Sequence, residues 1–137
     1  MENFTRLKEI IGHLREHCPW TGQLTHQSLT PYLIEEAQEV AEEIREGAHG
    51  DPLRKELGDI LLQVALHAAI AEEREEFDFD AVAEAICAKL IRRNPHVFEP
   101  DGTLNPQQAS IEEIDAAWNR IKQQEKAEEA SRAAGLD

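Results

Sequence analysis

Two pairs of carboxylates in this 137-residue chain have the residue types and the spacing of a metal site: Glu36 with Glu39, and Glu56 with Asp59. Residues three apart in a helix lie on one face, with Cβ atoms about 5–6 Å apart, so each pair would present its oxygens together. An all-oxygen set suits a hard cation such as Mg²⁺ or Mn²⁺ better than zinc. The spacing therefore predicts a Mg²⁺ or Mn²⁺ site, provided that two helices bring the pairs together.

Two neighbouring helices are predicted to position these pairs. A Thr-Pro dipeptide starts the first, at about residues 30–46, and an Asp-Pro dipeptide starts the second, at about 51–75. The glycine-containing turn at 47–50 is short enough to make them antiparallel neighbours. The second helix is apolar nearly all round between Leu57 and Ile70, which is typical of a bundle centre or an oligomer interface. The first has one apolar stripe: Leu33, Ile34, Ala37, Val40, Ala41 and Ile44.

The rest of the chain is predicted to be helical as well, and no stretch alternates as a strand would. Apolar residues at helical spacing predict a first helix at about 3–17. Asp78 or Asp80 caps a fourth helix, which ends at Asn94 because a proline follows. A Ser-x-x-Glu capping box opens a last helix at about 110–126.

The predicted architecture is a single all-α domain over residues 1–137, a bundle of about five helices assembled as a dimer. Its core lies at about 28–95, with the antiparallel pair at the centre, and a frayed tail is expected at 127–137. The length is enough for one compact core. Apolar residues make up 41% and charged residues 31% of the chain, a balance that suits helices with long solvated faces.

The chain is strongly acidic, with a net charge of −14. This charge argues against binding a nucleic-acid polymer, and an acidic protein that handles phosphates would need metal ions to bridge the like charges. Cys18 and Cys87 lack metal-site spacing, which indicates a reducing compartment. No signal peptide or membrane-spanning run is visible. We therefore expect a cytoplasmic protein that does not bind membranes.

Two features that destabilise a helix occur together near the second carboxylate pair, Glu56 and Asp59. Like charges at helical spacing are mildly destabilising, and Gly58 inside a helix costs about 1 kcal/mol relative to alanine. Such a coincidence is typical of a functional site. For Glu36 and Glu39 alone, a solvated helix face explains the spacing equally well. Three further glutamates are interpreted as solvated surface: Glu42, Glu43 and Glu46.

Three cations, Lys89, Arg92 and Arg93, lie at the end of the fourth helix. A favourable interaction with the helix dipole explains them by default. Beside a metal site, a phosphate clamp becomes the better interpretation, because arginine makes forked contacts and lysine supplies a point charge. From the residues alone, two other classes of protein remain possible: a non-catalytic helical interaction protein and a dimetal oxidoreductase. A dimetal helical bundle requires Glu-x-x-His pairs, and neither carboxylate pair here has a histidine at that spacing.

Several motifs, found in one order over about residues 4–126, resemble the MazG family. They are Cys18-Pro19-Trp20, Thr25-His26-Gln27-Ser28-Leu29, Glu35-Glu36-Ala37-Gln38-Glu39, Glu56-Leu57-Gly58-Asp59 and the segment from Lys89 to Phe98. The segment from Trp118 to Lys122 is similar to the end of that family's domain. The resemblance implies a dimeric, all-α nucleoside triphosphate pyrophosphohydrolase, which converts an NTP or dNTP to the monophosphate and pyrophosphate.

The resemblance also implies roles for individual residues. The family's EExxE and ExxD motifs match this chain, and the match implies that four residues bind Mg²⁺: Glu36, Glu39, Glu56 and Asp59. Mn²⁺ is expected to substitute for Mg²⁺. The family's phosphate-contacting segment matches Lys89, Arg92 and Arg93. Three more residues fall where family members approach the nucleotide: Tyr32, Lys55 and Trp118. A metal-activated water, oriented by Glu36 or Glu35, would attack the α-phosphorus, and the cations would stabilise the leaving pyrophosphate.

The first motif departs from the family pattern at two positions. The family usually has CPWDxxQTHxSL, whereas this chain has Thr21 in place of the aspartate and Leu24 in place of the glutamine. This loop is expected to shape the entrance or the nucleoside pocket. We therefore expect the two departures to affect substrate preference, rather than the metal chemistry. The base and the sugar of the substrate are not specified by these motifs.

Overall fold

The structure, a computed structural model, describes residues 2–135. Within them the chain is helical apart from its turns, its loops and one isolated β-bridge between Phe98 and Leu104, which confirms the all-α prediction. The helices are α1 (Glu2–His17), α2 (Pro19–Gly22), α3 (His26–Arg45), α4 (Gly50–Glu73), α5 (Phe79–Arg93) and α6 (Ile111–Ala133). None of these helices is long and apolar enough to cross a membrane. The chain divides into two compact units, one up to Val82 and one from Ala83.

The core of the first unit forms where α1 and α3 pack against α4. The middle of α4 supplies most of its buried side chains, as its nearly all-round apolar sequence predicts. Ile11 from α1 and Leu29 from α3 are the largest side chains that are fully buried. The core cluster consists of Ile11, Leu24, Leu29, Ala65, Leu66 and Ile70.

The start of α3 differs from the sequence prediction. The helix begins at His26, not near Thr30, because Thr25 and Ser28 form a capping box. The Thr25 hydroxyl accepts a hydrogen bond from the Ser28 amide at 3.0 Å, and the Thr25 amide donates to the Ser28 hydroxyl at 2.9 Å. This box satisfies backbone donors that a later start would leave unpaired. Pro31 therefore lies inside the helix, at the expense of one backbone hydrogen bond.

Arg15 fixes the segment between α1 and α3. Its guanidinium donates to the carbonyl oxygens of Thr21 at 2.8 Å and Leu24 at 2.9 Å, and forms a forked ion pair with Glu73 at the end of α4. The hydrogen bond from Arg15 lowers the pKa of Glu73. Thr21 and Leu24 are themselves buried. The two departures from the family motif therefore lie in the protein interior, and Leu24 belongs to the core cluster.

Two histidines join the first turn of α3 to α4. The Nδ1 atoms of His26 and His67 lie 2.7 Å apart, and the two rings are parallel within 3°. Burial lowers the pKa of His67, and the neighbouring His26 lowers it further. The second ring nitrogen of His67, Nε2, is buried and has no hydrogen-bond partner among the residues that the structure describes.

The apolar stripe of α3 is only partly covered. Leu33 is 38% exposed, and Ile34 and Ile44 are each 53% exposed. On α4, Leu57 is 50% exposed. A stripe of large aliphatic side chains open to water is typical of a surface that meets another protein.

The second unit contains most of α5, the loop that follows it, and α6. The predicted capping box is present, since the Ser110 hydroxyl accepts from the Glu113 amide at 3.1 Å. The fourth predicted helix, α5, ends at Arg93, one residue before the predicted end at Asn94. However, α6 continues to Ala133, although fraying was expected from residue 127; Leu136 and Asp137 lie outside the described residues. Alanine, glutamate, lysine and arginine are strong helix formers, so the helix persists without an apolar stripe.

Candidate metal centre and phosphate-binding residues

Three of the four predicted carboxylates meet between α3 and α4. Glu36 comes from α3, and Glu56 and Asp59 come from successive turns of α4; one oxygen of each lies within 4.8 Å of the others. The short connection at residues 46–49 turns the chain back, so that α4 runs beside α3. Local helix periodicity and this turn are therefore enough to bring carboxylates that are twenty residues apart in the chain together.

The cluster is poorly solvated for a group of anions. Glu36 and Glu56 are half-buried, and the Oε2 atom of each is inaccessible to solvent and accepts no hydrogen bond from residues 2–135. Burial raises the pKa of both carboxyl groups, and the charges of nearby Asp59 and Glu39 raise it further. Unpaired buried acceptors are costly, and like charges add to that cost. A divalent cation would offset both penalties.

Three other glutamates of α3 surround this cluster. Glu39 lies outside the three-residue group but close enough to raise the pKa of Glu36 and Glu56. Glu35 is exposed and makes a smaller contribution, to Glu36 alone. Glu43, interpreted from the sequence as solvated surface, is half-buried and raises the pKa of Glu56. Its position seven residues after Glu36 was the missed signal, because two turns return to the same helix face.

Gly58 leaves an opening next to the second carboxylate pair. A Cβ atom built at this position would have no atom within 4 Å, apart from its chain neighbours and the backbone of its own helix. A glycine is therefore not required at position 58 for close packing against any residue that the structure describes. Since glycine weakens a helix interior, its position between Glu56 and Asp59 is consistent with space kept free beside the cluster.

The donor set fits a hard divalent cation. Carboxylate oxygens are the preferred ligands of Mg²⁺, whereas the cluster contains no sulfur or imidazole to favour zinc or copper. Oxygens within 4.8 Å of one another are also spaced suitably for one ion or for a pair about 3.5–4 Å apart.

Two residues expected near the nucleotide have local partners in the first unit. Tyr32 is 44% exposed and its ring meets that of Trp20 edge to face, with centroids 6.4 Å apart. Trp20 is 55% exposed, so the pair forms an accessible aromatic surface. Lys55 extends from α4 towards Asp51, one turn earlier, with a nitrogen–oxygen distance of 3.3 Å.

The second unit groups two of the predicted cations with Trp118. Arg92 and Arg93, at the end of α5, both donate to the carboxylate of Glu125 on α6. The Arg93 guanidinium carbon lies 5.0 Å from the centroid of the Trp118 ring, within the range of a cation–π contact. Lys89 is half-buried on α5.

Glu125 is a partner that the sequence reasoning did not identify. Hydrogen bonds from Arg93 lower the pKa of its carboxyl group, and those from Arg92 add to the effect. The sequence did carry a signal: Glu125 follows Trp118 by two helical turns and so continues the inward face of α6. An acidic residue at such a position needs a cationic partner.

Comparison with known proteins identifies the family. A sequence profile of the MazG nucleotide pyrophosphohydrolase domain matches residues 24–98. The nucleoside triphosphate pyrophosphohydrolase/pyrophosphatase MazG of Thermotoga maritima is 42% identical over 134 residues, which are 96% of this chain and 49% of that protein. The nucleoside triphosphate pyrophosphohydrolase of Escherichia coli K12 is 39% identical over 137 residues, 98% of this chain and 50% of that protein.

The fold supports the same conclusion. The crystal structure of a mazG-related protein from Thermotoga maritima superposes with a TM-score of 0.69 at 28% identity, and the match covers 87% of this chain and 98% of that one. This chain spans about half the length of the curated relatives that it matches. The carboxylate motifs of α3 and α4 lie within the matched region. The chain belongs to the MazG nucleotide pyrophosphohydrolase domain family.

Proposed function

We propose that this protein hydrolyses nucleoside triphosphates to the monophosphate and pyrophosphate in a Mg²⁺-dependent reaction. The observation that carries the proposal is the carboxylate cluster, in which two buried oxygens have no hydrogen-bond donor within the described part of the chain. The names of its relatives point to the same activity, since several are nucleoside triphosphate pyrophosphohydrolases.

The carboxylates would act first as a metal-binding group. Glu36, Glu56 and Asp59 form its centre, and Glu39 adds charge beside them. Bound Mg²⁺ would supply Lewis acidity for water activation and would offset the charge of the triphosphate. Mn²⁺ shares the preference for oxygen ligands and should substitute.

Other residues would bind the substrate or orient water. The cations Lys89, Arg92 and Arg93 are the groups that can bind phosphate oxygens. Tyr32, with its neighbour Trp20, offers an exposed aromatic surface suited to a nucleobase. Lys55 and Trp118 are further candidates for nucleotide contacts.

Proton transfer would involve Glu36 or Glu35. A general base must lie within hydrogen-bond reach of the proton that it accepts. Glu36 belongs to the carboxylate cluster that would hold the metal, whereas Glu35 is exposed and precedes it in the chain. Glu36 would accept a proton from the attacking water, and Glu35 would help to orient that water.

Product analysis provides the direct test of this function. With Mg²⁺, a panel of NTPs and dNTPs should yield monophosphate and pyrophosphate in equal amounts, measured by anion-exchange chromatography. Attack at the α-phosphorus requires this pairing of products. Release of the diphosphate and inorganic phosphate would contradict the proposal. The same panel, extended to oxidised and deaminated nucleotides, would identify the preferred base and sugar.

We further propose that the protein assembles as a homodimer through the exposed apolar stripe of α3. The Ile34→Glu variant should shift the protein from dimer to monomer in sedimentation experiments, because a charge would enter the apolar contact. Ile111→Glu is a matched control: Ile111 is 81% exposed and lies at the start of α6. A wild-type monomer, or an Ile34→Glu dimer as stable as the wild type, would contradict this assembly.

A further inference from the structure

The arginines at the end of α5 share one carboxylate. Arg92 Nη2 lies 3.0 Å from Glu125 Oε1, and Arg92 Nε lies 3.2 Å from the same oxygen. Arg93 Nε lies 3.1 Å from that oxygen and 3.3 Å from Oε2. Two guanidinium groups therefore converge on a single anion, which leaves a net charge of +1 for the three side chains.

The two arginines differ in accessibility. The Arg93 side chain is 12% exposed and stacks on Trp118, whereas the Arg92 side chain is 49% exposed. Glu125 is 15% exposed. Arg93, Glu125 and Trp118 thus form a fixed base, and Arg92 is the member that an incoming ligand can reach.

The hydrogen bonds of Arg92 leave part of its guanidinium free. Nε and Nη2 donate to Glu125, while Nη1 makes no hydrogen bond with any residue that the structure describes. An arginine held along one edge presents its remaining donors in a fixed direction, so less side-chain entropy is lost on binding an anion. Glu125 also screens the repulsion between Arg92 and Arg93, which would otherwise drive the two groups apart.

We propose that Glu125 is a positioning residue, which holds Arg92 so that its free nitrogen can bind a phosphate oxygen of the substrate, while Arg93 and Trp118 anchor Glu125. This role rests on the proposed function, in which the cations of α5 bind the triphosphate. This inference refines the role proposed above for Arg93: Arg92, which is more exposed, contacts the ligand, and Arg93 supports the carboxylate. The opposite role, in which Glu125 competes with phosphate for Arg92, predicts tighter phosphate binding when its charge is removed.

Calorimetric titration with tripolyphosphate in the presence of Mg²⁺ tests this role without requiring turnover. Glu125→Gln should weaken binding by about tenfold, the effect of a misplaced charge-assisted contact. Glu129→Gln, one turn further along α6 at an exposed position, is the matched control and should bind as the wild type does. Glu125→Asp keeps the charge and should lose less affinity than Glu125→Gln. If Glu125→Gln does not fold, as its circular dichroism signal would show, Glu125→Asp serves as the second variant.

A double-mutant cycle separates positioning from general destabilisation. Arg92→Ala should weaken tripolyphosphate binding, and adding Glu125→Gln to it should change the affinity by less than about threefold, because Glu125 acts through Arg92. Additive losses, unchanged or tighter binding in Glu125→Gln, or no binding to the wild type would each overturn the inference. A parallel assay of pyrophosphate release separates this inference from the proposed function. If the wild type is active and Glu125→Gln is equally active, only the positioning role of Glu125 is contradicted.

Discussion

Replacing Glu56 by Gln is expected to lower Mg²⁺-dependent pyrophosphate release by at least about a hundredfold, the loss typical when a group that stabilises transition-state charge is removed. The substitution keeps the size of the side chain but removes one anion from the centre of the cluster. Glu56 has a buried oxygen without a donor and lies among other carboxylates. The amide would leave a neutral, weaker ligand there. Initial rates at saturating Mg²⁺ and NTP would measure the loss.

The matched control is Glu42→Gln. Glu42 is an exposed glutamate of α3, outside the carboxylate cluster, and its replacement should leave turnover within about twofold, as is usual for surface positions. Both variants should keep the helical circular dichroism signal of the wild type. Turnover by Glu56→Gln at the wild-type rate would mean that other carboxylates hold the metal.

The metal-free protein provides a second measurement on the same variant. The pKa of Glu56 is raised in the folded state, so between its unfolded value of about 4.5 and its folded value the native state binds more protons than the unfolded state. The contribution of Glu56 to stability therefore decreases as the pH rises through that window. Without metal at pH 7, Glu56→Gln should melt at a higher temperature than the wild type, and this difference should shrink as the pH falls towards the unfolded value.

Replacing Leu29 by Ala is expected to destabilise the protein by about 2–5 kcal/mol, the range for removing a fully buried leucine. Leu29 is only 1% exposed and connects the first turn of α3 to the side chains of α1 and α4. The lost methyl groups would leave a cavity, because the neighbouring helices are held by their own contacts. Urea unfolding followed by circular dichroism would measure the change in the free energy of unfolding.

Leu14→Ala is the control for this substitution. Leu14 lies in the same unit, on α1, and is 41% exposed. Its replacement should cost about 1 kcal/mol or less, since alanine favours the helix and little buried area is lost. A Leu29→Ala variant no less stable than Leu14→Ala would show that the core can close around the missing side chain.

Local patterns in the sequence predict much of this fold and of its candidate site. The helical periodicity, the capping box at Ser110 and the proline after Asn94 each act within a few residues, so their consequences could be worked out without tertiary contacts. The proximity of the carboxylates on α3 and α4 could also be predicted from local features, because a short turn and three-residue spacing place Glu36 near Glu56.

Competition between local signals and contacts across the chain explains the rest. Thr25 and Thr30 are both plausible helix caps, and the earlier one is used because it places Leu29 on a helix that faces the core. The anchoring of Arg92 by Glu125 joins residues 33 apart in sequence, and no local rule specifies such a pair. The exposure of the α3 stripe is equally nonlocal, since periodicity marks an apolar face but not what covers it.

The contact between His26 and His67 determines where hydrogen atoms are placed on the two rings. Nitrogens 2.7 Å apart can bond only when one of them carries a hydrogen, so the neutral pair contains one Nδ1–H and one Nε2–H tautomer. The pair can accept one extra proton, whereas a second would set two N–H groups against each other. Because the folded-state pKa of His67 is lowered, its contribution to stability is present above the unfolded value of about 6.5 and is lost as the pH falls from that value through the lower pKa of the folded state. A single shared hydrogen thus links α3 to α4 at this contact.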